Sequence, residues 1–143
     1  MRTPTPEQLP EIAKLLADSG LPIDDLPEQD LSLFRIEGPI ERVRAVGGLE
    51  RCGNVALIRS VATAPATRGR GIAANIVEEL ERLAVDKGFG ILYLLTETAE
   101  LYFESRGYST VERSDVPAVI RDSRQFSSLC PDSATIMCKR VGV

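Results

Sequence analysis

The spacing of apolar residues predicts three helices. The first occupies segment 5–20, which starts with the capping sequence T-P-E-Q, repeats apolar residues at helical spacing and ends at S-G. The second and strongest runs from Ile72 to the pair Lys87-Gly88, with acidic side chains on the face opposite the apolar one. The third, Ala99–Arg106, is short and is closed by Gly107.

Apolar runs bounded by turn residues predict strands between and after these helices. Val55–Thr63 is a long β-favouring run with few polar residues, which is typical of a central strand. A long connection, Arg113–Asp132, precedes the last strand, and the few residues before the first helix leave room for at most a minimal strand. The order predicts an α/β (α+β) fold, one domain over 1–143 with a central mixed β-sheet flanked by helices. The predicted strands are Leu31–Ile36, Val43–Glu50, Val55–Thr63, Ile91–Leu95, Tyr108–Glu112 and Ala134–Lys139.

The composition narrows the class of function. A chain of 143 residues with a net charge of −4 suits one core and is a poor candidate for binding nucleic acid. The absence of histidine and of any C-x-x-C sequence removes most zinc sites and every imidazole-activated nucleophile. Because no apolar run is long enough to span a membrane and no signal-peptide core is present, we expect a cytoplasmic protein without metal or membrane partner.

The segment 61–77 carries the clearest chemical signal, because a strand leads through a glycine-containing loop directly into the strongest helix. Gly69 and Gly71 leave the loop backbone open to an anion, and the helix start offers unpaired amides and a positive dipole end. Arg68 and Arg70 add positive charge. The spacing fits neither a P-loop nor a dinucleotide-binding fingerprint. A pyrophosphate site and a purely structural turn are both open on these residues alone.

The pattern R-x-x-G-x-A, filled by Arg68, Gly71 and Ala73, resembles the acetyl-CoA signature of the GNAT superfamily of N-acetyltransferases. The segment 94–108, L-L-T-E-T-A-E-L-Y-F-E-S-R-G-Y, resembles the second characteristic region of that family. The resemblance implies that the loop amides hold the pyrophosphate of acetyl-CoA and that the preceding strand binds its pantetheine arm. The cofactor-binding residues implied in this way are Val61, Ala62, Thr63, Arg68, Gly69, Arg70, Gly71, Ile72 and Ala73.

A narrower resemblance concerns the acceptor. The sequences S-V-A-T-A-P-A-T-R-G-R-G, L-L-T-E-T-A-E-L-Y-F and F-S-S-L-C-P are similar to the acetyltransferases of arsenic-resistance operons and to the acetyltransferase domain of N-acetylglutamate synthases. This resemblance implies acetylation of the amino group of a small amino-acid-like molecule, with a possible link to arsenic resistance. Acetylation of a protein N-terminus or lysine, and non-catalytic binding of acetyl-CoA, are alternatives, and a homodimer is compatible with the sequence.

The catalytic residues follow less directly from the resemblance. The family commonly places a tyrosine general acid four residues before the glycine of the second region, where this chain has Phe103, so Tyr102 or water takes that role. The amide of Thr63 is the corresponding candidate for stabilising the thioester carbonyl. Strand alternation places Arg59 on the face of Leu57 and Val61, where it either binds a substrate carboxylate or pairs with a nearby Glu. The candidate acceptor-binding residues are Arg59, Ser60, Glu97 and Ser127.

Overall fold

A computed structural model describes residues 1–39, 42–123, 126 and 133–142. Over these residues the fold alternates short helices with the strands of one sheet. The helices are α1 (Leu9–Asp18), α2 (Ile72–Asp86), α3 (Glu100–Ser105) and α4 (Ala118–Arg121). The strands are β1 (Phe34–Glu37), β2 (Ala45–Cys52), β3 (Val55–Thr63), β4 (Ile91–Thr96), β5 (Ser109–Thr110) and β6 (Thr135–Arg140).

The six strands form one mixed sheet in the order β1-β2-β3-β4-β6-β5. Only β3 and β4 pair in parallel, and every other neighbouring pair is antiparallel. The α2 helix packs on one face, against Ala45, Leu49 and Ile58. The α1 and α4 helices cover the other face. The predicted fold class, a central mixed sheet flanked by helices, is therefore confirmed.

Two strand predictions need correction. Leu31–Leu33 is a 3₁₀ turn, because the Asp30 carboxylate accepts a hydrogen bond from the Ser32 amide at 3.0 Å and caps it, so that β1 starts only at Phe34. The predicted strand Tyr108–Glu112 is reduced to β5. The prediction of at most a minimal strand before the first helix is confirmed, since this segment contributes one antiparallel bridge, from Arg2 to Ile36.

Candidate functional site

The two central parallel strands separate and leave a cleft between them. β3 and β4 pair only at Ala56–Leu92 and Leu57–Tyr93, near the start of each strand. Beyond these pairs the strands diverge around a cleft of about 820 Å³. Its walls are segment 58–63 of β3, segment 94–99 at the end of β4, and segment 19–22 that follows α1. Polar backbone groups on the facing edges are thus free of a strand partner, which suits them to bind an extended ligand.

A β-bulge shapes the β3 wall of the cleft. The register between β2 and β3 shifts between Val46 and Gly48, and Ser60 takes a left-handed conformation with φ 59°. The extra residue reverses the alternation, so that Val61 packs with the α2 core whereas Arg59 points to the other face. The prediction that these two side chains share a face is wrong, because it assumed an unbroken strand.

The glycine loop lies at the mouth of the cleft. Gly69 and Gly71 have φ of 82° and 74°, and Gly71 is the N-cap of α2. A Cβ atom at either position would meet nothing within 4 Å, so glycine is required for the left-handed backbone and not for lack of space. Arg68 and Arg70 are exposed, and within the described part of the chain neither side chain has an ion-pair or hydrogen-bond partner. The loop therefore combines unpaired helix amides with two available cations.

The Arg59 side chain is fully buried, at 0% exposure, and is held by carboxylates. Its Nη1 and Nη2 donate to the two oxygens of Asp25 at 2.6 Å each, and Nη1 also donates to Glu50 at 2.8 Å. Burial opposes the charged guanidinium, but the hydrogen bonds to Asp25 and Glu50 outweigh it, so the pKa of Arg59 lies above its ordinary value. Of the two predictions for Arg59, the one that it pairs with a nearby acidic side chain agrees with these contacts. Because the guanidinium is already paired with two carboxylates, the structure favours the ion pair over the binding of a substrate carboxylate, although Arg59 is one of the residues that line the cleft.

The α3 helix brings two aromatic rings to the cleft. Tyr102 and Phe103 both border it, with Tyr102 37% exposed and Phe103 buried. Their ring centroids lie 5.1 Å apart in an edge-to-face arrangement. Burial raises the pKa of the Tyr102 phenol above its ordinary value. Tyr102 thus offers a hydroxyl to the cleft that stays protonated at neutral pH.

Most of the predicted site residues meet at this cleft, although they come from distant parts of the sequence. Glu97 is exposed at the end of β4, and Gly69–Ile72 form the adjoining loop, whereas Ser127 lies outside the described residues. The sequence reasoning missed the wall formed by segment 19–22 and the partner of Arg59, Asp25. The only signal for Asp25 was the need of a charged strand residue for a buried counterion. The predicted residues that line the cleft are Arg59, Ser60, Val61, Ala62, Thr63, Arg68, Ala73, Glu97 and Tyr102.

The described residues contain neither a metal cluster nor a membrane-spanning helix. No group of three or more His, Cys, Asp or Glu side chains is placed to hold a metal ion in the described part of the chain. None of the helices in the same residues combines the length and the apolar composition needed to cross a membrane.

The mixed sheet, whose central parallel pair opens beside a glycine loop at a helix start, has the arrangement that the resemblance to the GNAT acetyltransferases implies. The comparison with protein families agrees: the model of the acetyltransferase (GNAT) family matches residues 27–108. Because this match covers more than half of the chain, the protein belongs to that family.

Two solved structures share the fold at low sequence identity, and one further relative is similar in sequence. N-acetylglutamate synthase from Neisseria gonorrhoeae superposes with a TM-score of 0.83 at 18% identity, over 98% of this chain and 34% of the synthase chain. Rv2747 from Mycobacterium tuberculosis gives a TM-score of 0.80 at 22% identity, over 97% of each chain. The [citrate (pro-3S)-lyase] ligase of Escherichia coli (strain K12) is 31% identical over 115 residues, 80% of this chain and 30% of the ligase. The chain thus spans about a third of the length of the ligase and of the synthase.

Proposed function

We propose that this protein transfers the acetyl group of acetyl-CoA to the amino group of a small amino-acid-like acceptor. The observation that carries the proposal is the cleft between β3 and β4, which opens at one end onto the glycine loop. The synthase and Rv2747 structures are complexes with coenzyme A. A ligand with an anionic end and an extended arm fits a site with a cationic loop at its mouth and a free strand edge along its wall.

The loop and strand divide the binding of acetyl-CoA between them. The pyrophosphate binds at Gly69–Ile72, where the helix amides and the side chains of Arg68 and Arg70 neutralise its charge. The pantetheine arm runs along Val61–Thr63, whose backbone on the β4 side is free beyond Leu57. Ala73 faces the cleft with a small side chain that leaves room for the ligand.

The transfer itself needs no covalent intermediate on the enzyme. The neutral amine nitrogen attacks the thioester carbonyl carbon, the C–N bond forms and the C–S bond breaks, and the amine loses one proton while the sulfur leaves as a thiolate or a thiol. Tyr102 is the candidate acid for the sulfur, since its protonated phenol borders the cleft. Glu97, exposed at the same end, is the candidate to receive the amine proton through water.

An amino-acid-like acceptor agrees with two structures of one relative. The synthase is complexed with N-acetyl-glutamate in one structure and with L-arginine in another. The similarity to arsenic-resistance acetyltransferases adds amino-acid analogues to the acceptors to be assayed. Ser60 and Glu97 are the described polar residues proposed to face the acceptor.

The proposal is tested by following CoA thiol release from acetyl-CoA with a set of amines. The set contains L-glutamate, other free amino acids and their analogues, a peptide with a free N-terminus, and a lysine peptide with a blocked N-terminus. We expect amine-dependent release with a free amino acid or analogue and none without amine. Turnover confined to a peptide favours protein acetylation, and acetyl-CoA binding without turnover on any amine favours a non-catalytic binder; either result contradicts the proposal.

A further inference from the structure

Ser60 has a left-handed backbone conformation, and its hydroxyl oxygen accepts a hydrogen bond from Arg59. It is the one non-glycine residue with a positive φ in the described part of the chain, and its side chain borders the cleft. Its Oγ lies 3.1 Å from Nε of Arg59. Because a guanidinium can only donate, Oγ must be the acceptor in this bond. The hydroxyl hydrogen of Ser60 is therefore free to point elsewhere, and no other group among the described residues accepts it.

The buried ion pairs hold the Arg59 guanidinium in place beside Ser60. Arg59 makes four hydrogen bonds, to Asp25, Glu50 and Ser60, and its side chain cannot swing into solvent. The positive guanidinium also polarises the hydroxyl, which makes it a stronger donor. Ser60 therefore has a hydroxyl hydrogen available to a ligand at a residue of the β-bulge that lines the cleft.

The position of Ser60 along β3 decides which part of the ligand this donor meets. It lies three residues beyond the last β3–β4 pair, Leu57–Tyr93, and therefore near the closed end of the cleft. With the pyrophosphate at the glycine loop and the pantetheine arm along β3, the thioester comes to rest toward that closed end. Thr63 lies three residues further along β3, toward the glycine loop, which places it beside the pantetheine arm in this arrangement.

We propose that the Ser60 hydroxyl is a catalytic donor to the thioester oxygen and that Arg59 is the positioning residue that orients it. The assignment rests on the proposed function. It moves the oxygen-stabilising group from the Thr63 amide to a side chain, and it reassigns the Ser60 hydroxyl from the acceptor to the thioester oxygen. As the amine attacks, negative charge grows on the oxygen, and a fixed donor stabilises the transition state more than the ground state.

The test measures kcat by CoA thiol release, with the best amine of the acceptor set, and the Kd of acetyl-CoA by calorimetry. We expect Ser60→Ala to lower kcat by about 100-fold, the scale of losing one oxyanion donor, with Kd changed less than about threefold. Ser60→Gly removes the same hydroxyl and relieves the left-handed backbone, so it answers the question if the alanine variant folds poorly. Ser109→Ala, an exposed serine on edge strand β5, is the matched control and should retain full kcat.

The role of Arg59 is tested by non-additivity. Arg59→Lys alone should lower kcat, because lysine keeps the charge but has no Nε to orient the hydroxyl. Added to Ser60→Ala, it should cost little more, whereas an independent structural role would multiply the two losses. A kcat within threefold of wild type in both Ser60 variants, or loss of acetyl-CoA binding in both, overturns the role of Ser60 and leaves the proposed function intact. Wild-type protein that releases no thiol with any amine overturns the assignment together with the proposed function.

Discussion

Asp25 and Arg59 are the two buried charged residues among those that the structure describes. They join the segment after α1 to the bulged strand β3, two parts of the chain 34 residues apart. Removing one charge of such a pair leaves the other buried without full compensation, which is the costly event at a buried ion pair.

Asp25→Asn should therefore lower the free energy of unfolding by about 3–5 kcal/mol, measured by urea denaturation. Glu50→Gln is the matched control, since Glu50 binds the same guanidinium nitrogen but keeps 20% of its side-chain surface exposed. Its loss should be about 1 kcal/mol, the typical net worth of one hydrogen bond. Equal losses of unfolding free energy in the two variants would contradict the account, because they would show that the burial of Asp25 does not make its ion pair with Arg59 the more important one.

Tyr102 provides a test of the acid role at the same scale. Tyr102→Phe removes the hydroxyl and keeps the ring, so we expect kcat to fall by about 100-fold with little change in acetyl-CoA affinity. Burial raises the pKa of the phenol, so the phenol keeps its proton between pH 7 and about 9. The wild-type kcat should therefore not fall through ionisation of Tyr102 in this range. Tyr93→Phe serves as the control, because that buried tyrosine lies outside the cleft. Unchanged turnover in Tyr102→Phe would assign protonation of the sulfur to water.

The sequence could predict that Arg59 needs a partner but not which one. A charge inside an apolar strand requires a counterion or a ligand, and both were open from the sequence. Asp25 stands in an acidic, proline-containing segment whose path depends on how α1 packs, so no local pattern identifies it. The orientation of the Ser60 hydroxyl depends on the same packing.

At the scale of elements, a glycine of β2 lies beside the β-bulge and under the α2 helix. Gly47 of β2 lies under α2, where an added Cβ would overlap Cγ2 of Ile76 and come within 3.1 Å of Leu80. The helix can thus sit close to the sheet beside the point where β3 gains its extra residue.

Gly47→Ala should destabilise the protein by about 1–3 kcal/mol, since the added methyl group overpacks a rigid helix–sheet contact. Gly90→Ala is the matched control, because a Cβ at Gly90 meets nothing within 4 Å and its φ is not in the left-handed region. The comparison is made by thermal unfolding and urea denaturation of the two variants. A Gly47→Ala protein as stable as the wild type would mean that α2 can shift away from the sheet at no cost.

Elements with a strong local pattern were predicted well, and elements that depend on neighbours were not. The bounds of β3, Val55–Thr63, agree with its continuous β-favouring run. The bulge within it was not predicted, because it arises from pairing with β2. The start of β1 was placed too early, since the apolar residues Leu31 and Leu33 suit a strand as well as the 3₁₀ turn that Asp30 caps.

At the scale of the whole molecule, the sheet gathers three segments distant in sequence around one cleft. The segment after α1 forms one wall, β3 and the glycine loop form the second, and the end of β4 with α3 forms the third. The family resemblance predicted the second and third from their sequences. The first could not be predicted, because its sequence carries no signature and only the packing of α1 brings it to the cleft.

The net negative charge of the protein opposes the binding of a polyanionic cofactor at the glycine loop. The protein carries a net charge of −4, yet it must bind a polyanion, so the local cations and helix amides of the loop must outweigh the overall repulsion. Arg68 borders the cleft at this loop and has no competing partner among the described residues. Reversing its charge should therefore act on the pyrophosphate directly.

The central claim is tested most directly by isothermal titration of acetyl-CoA into wild-type protein, Arg68→Glu and Arg140→Glu. Arg140 is exposed on β6 away from the cleft, so the control changes the net charge equally. We predict saturable binding to the wild type and to Arg140→Glu, and at least a tenfold weaker affinity in Arg68→Glu. Absence of saturable binding to the wild type, or an equal loss in the two variants, would contradict the assignment of the loop as the pyrophosphate site.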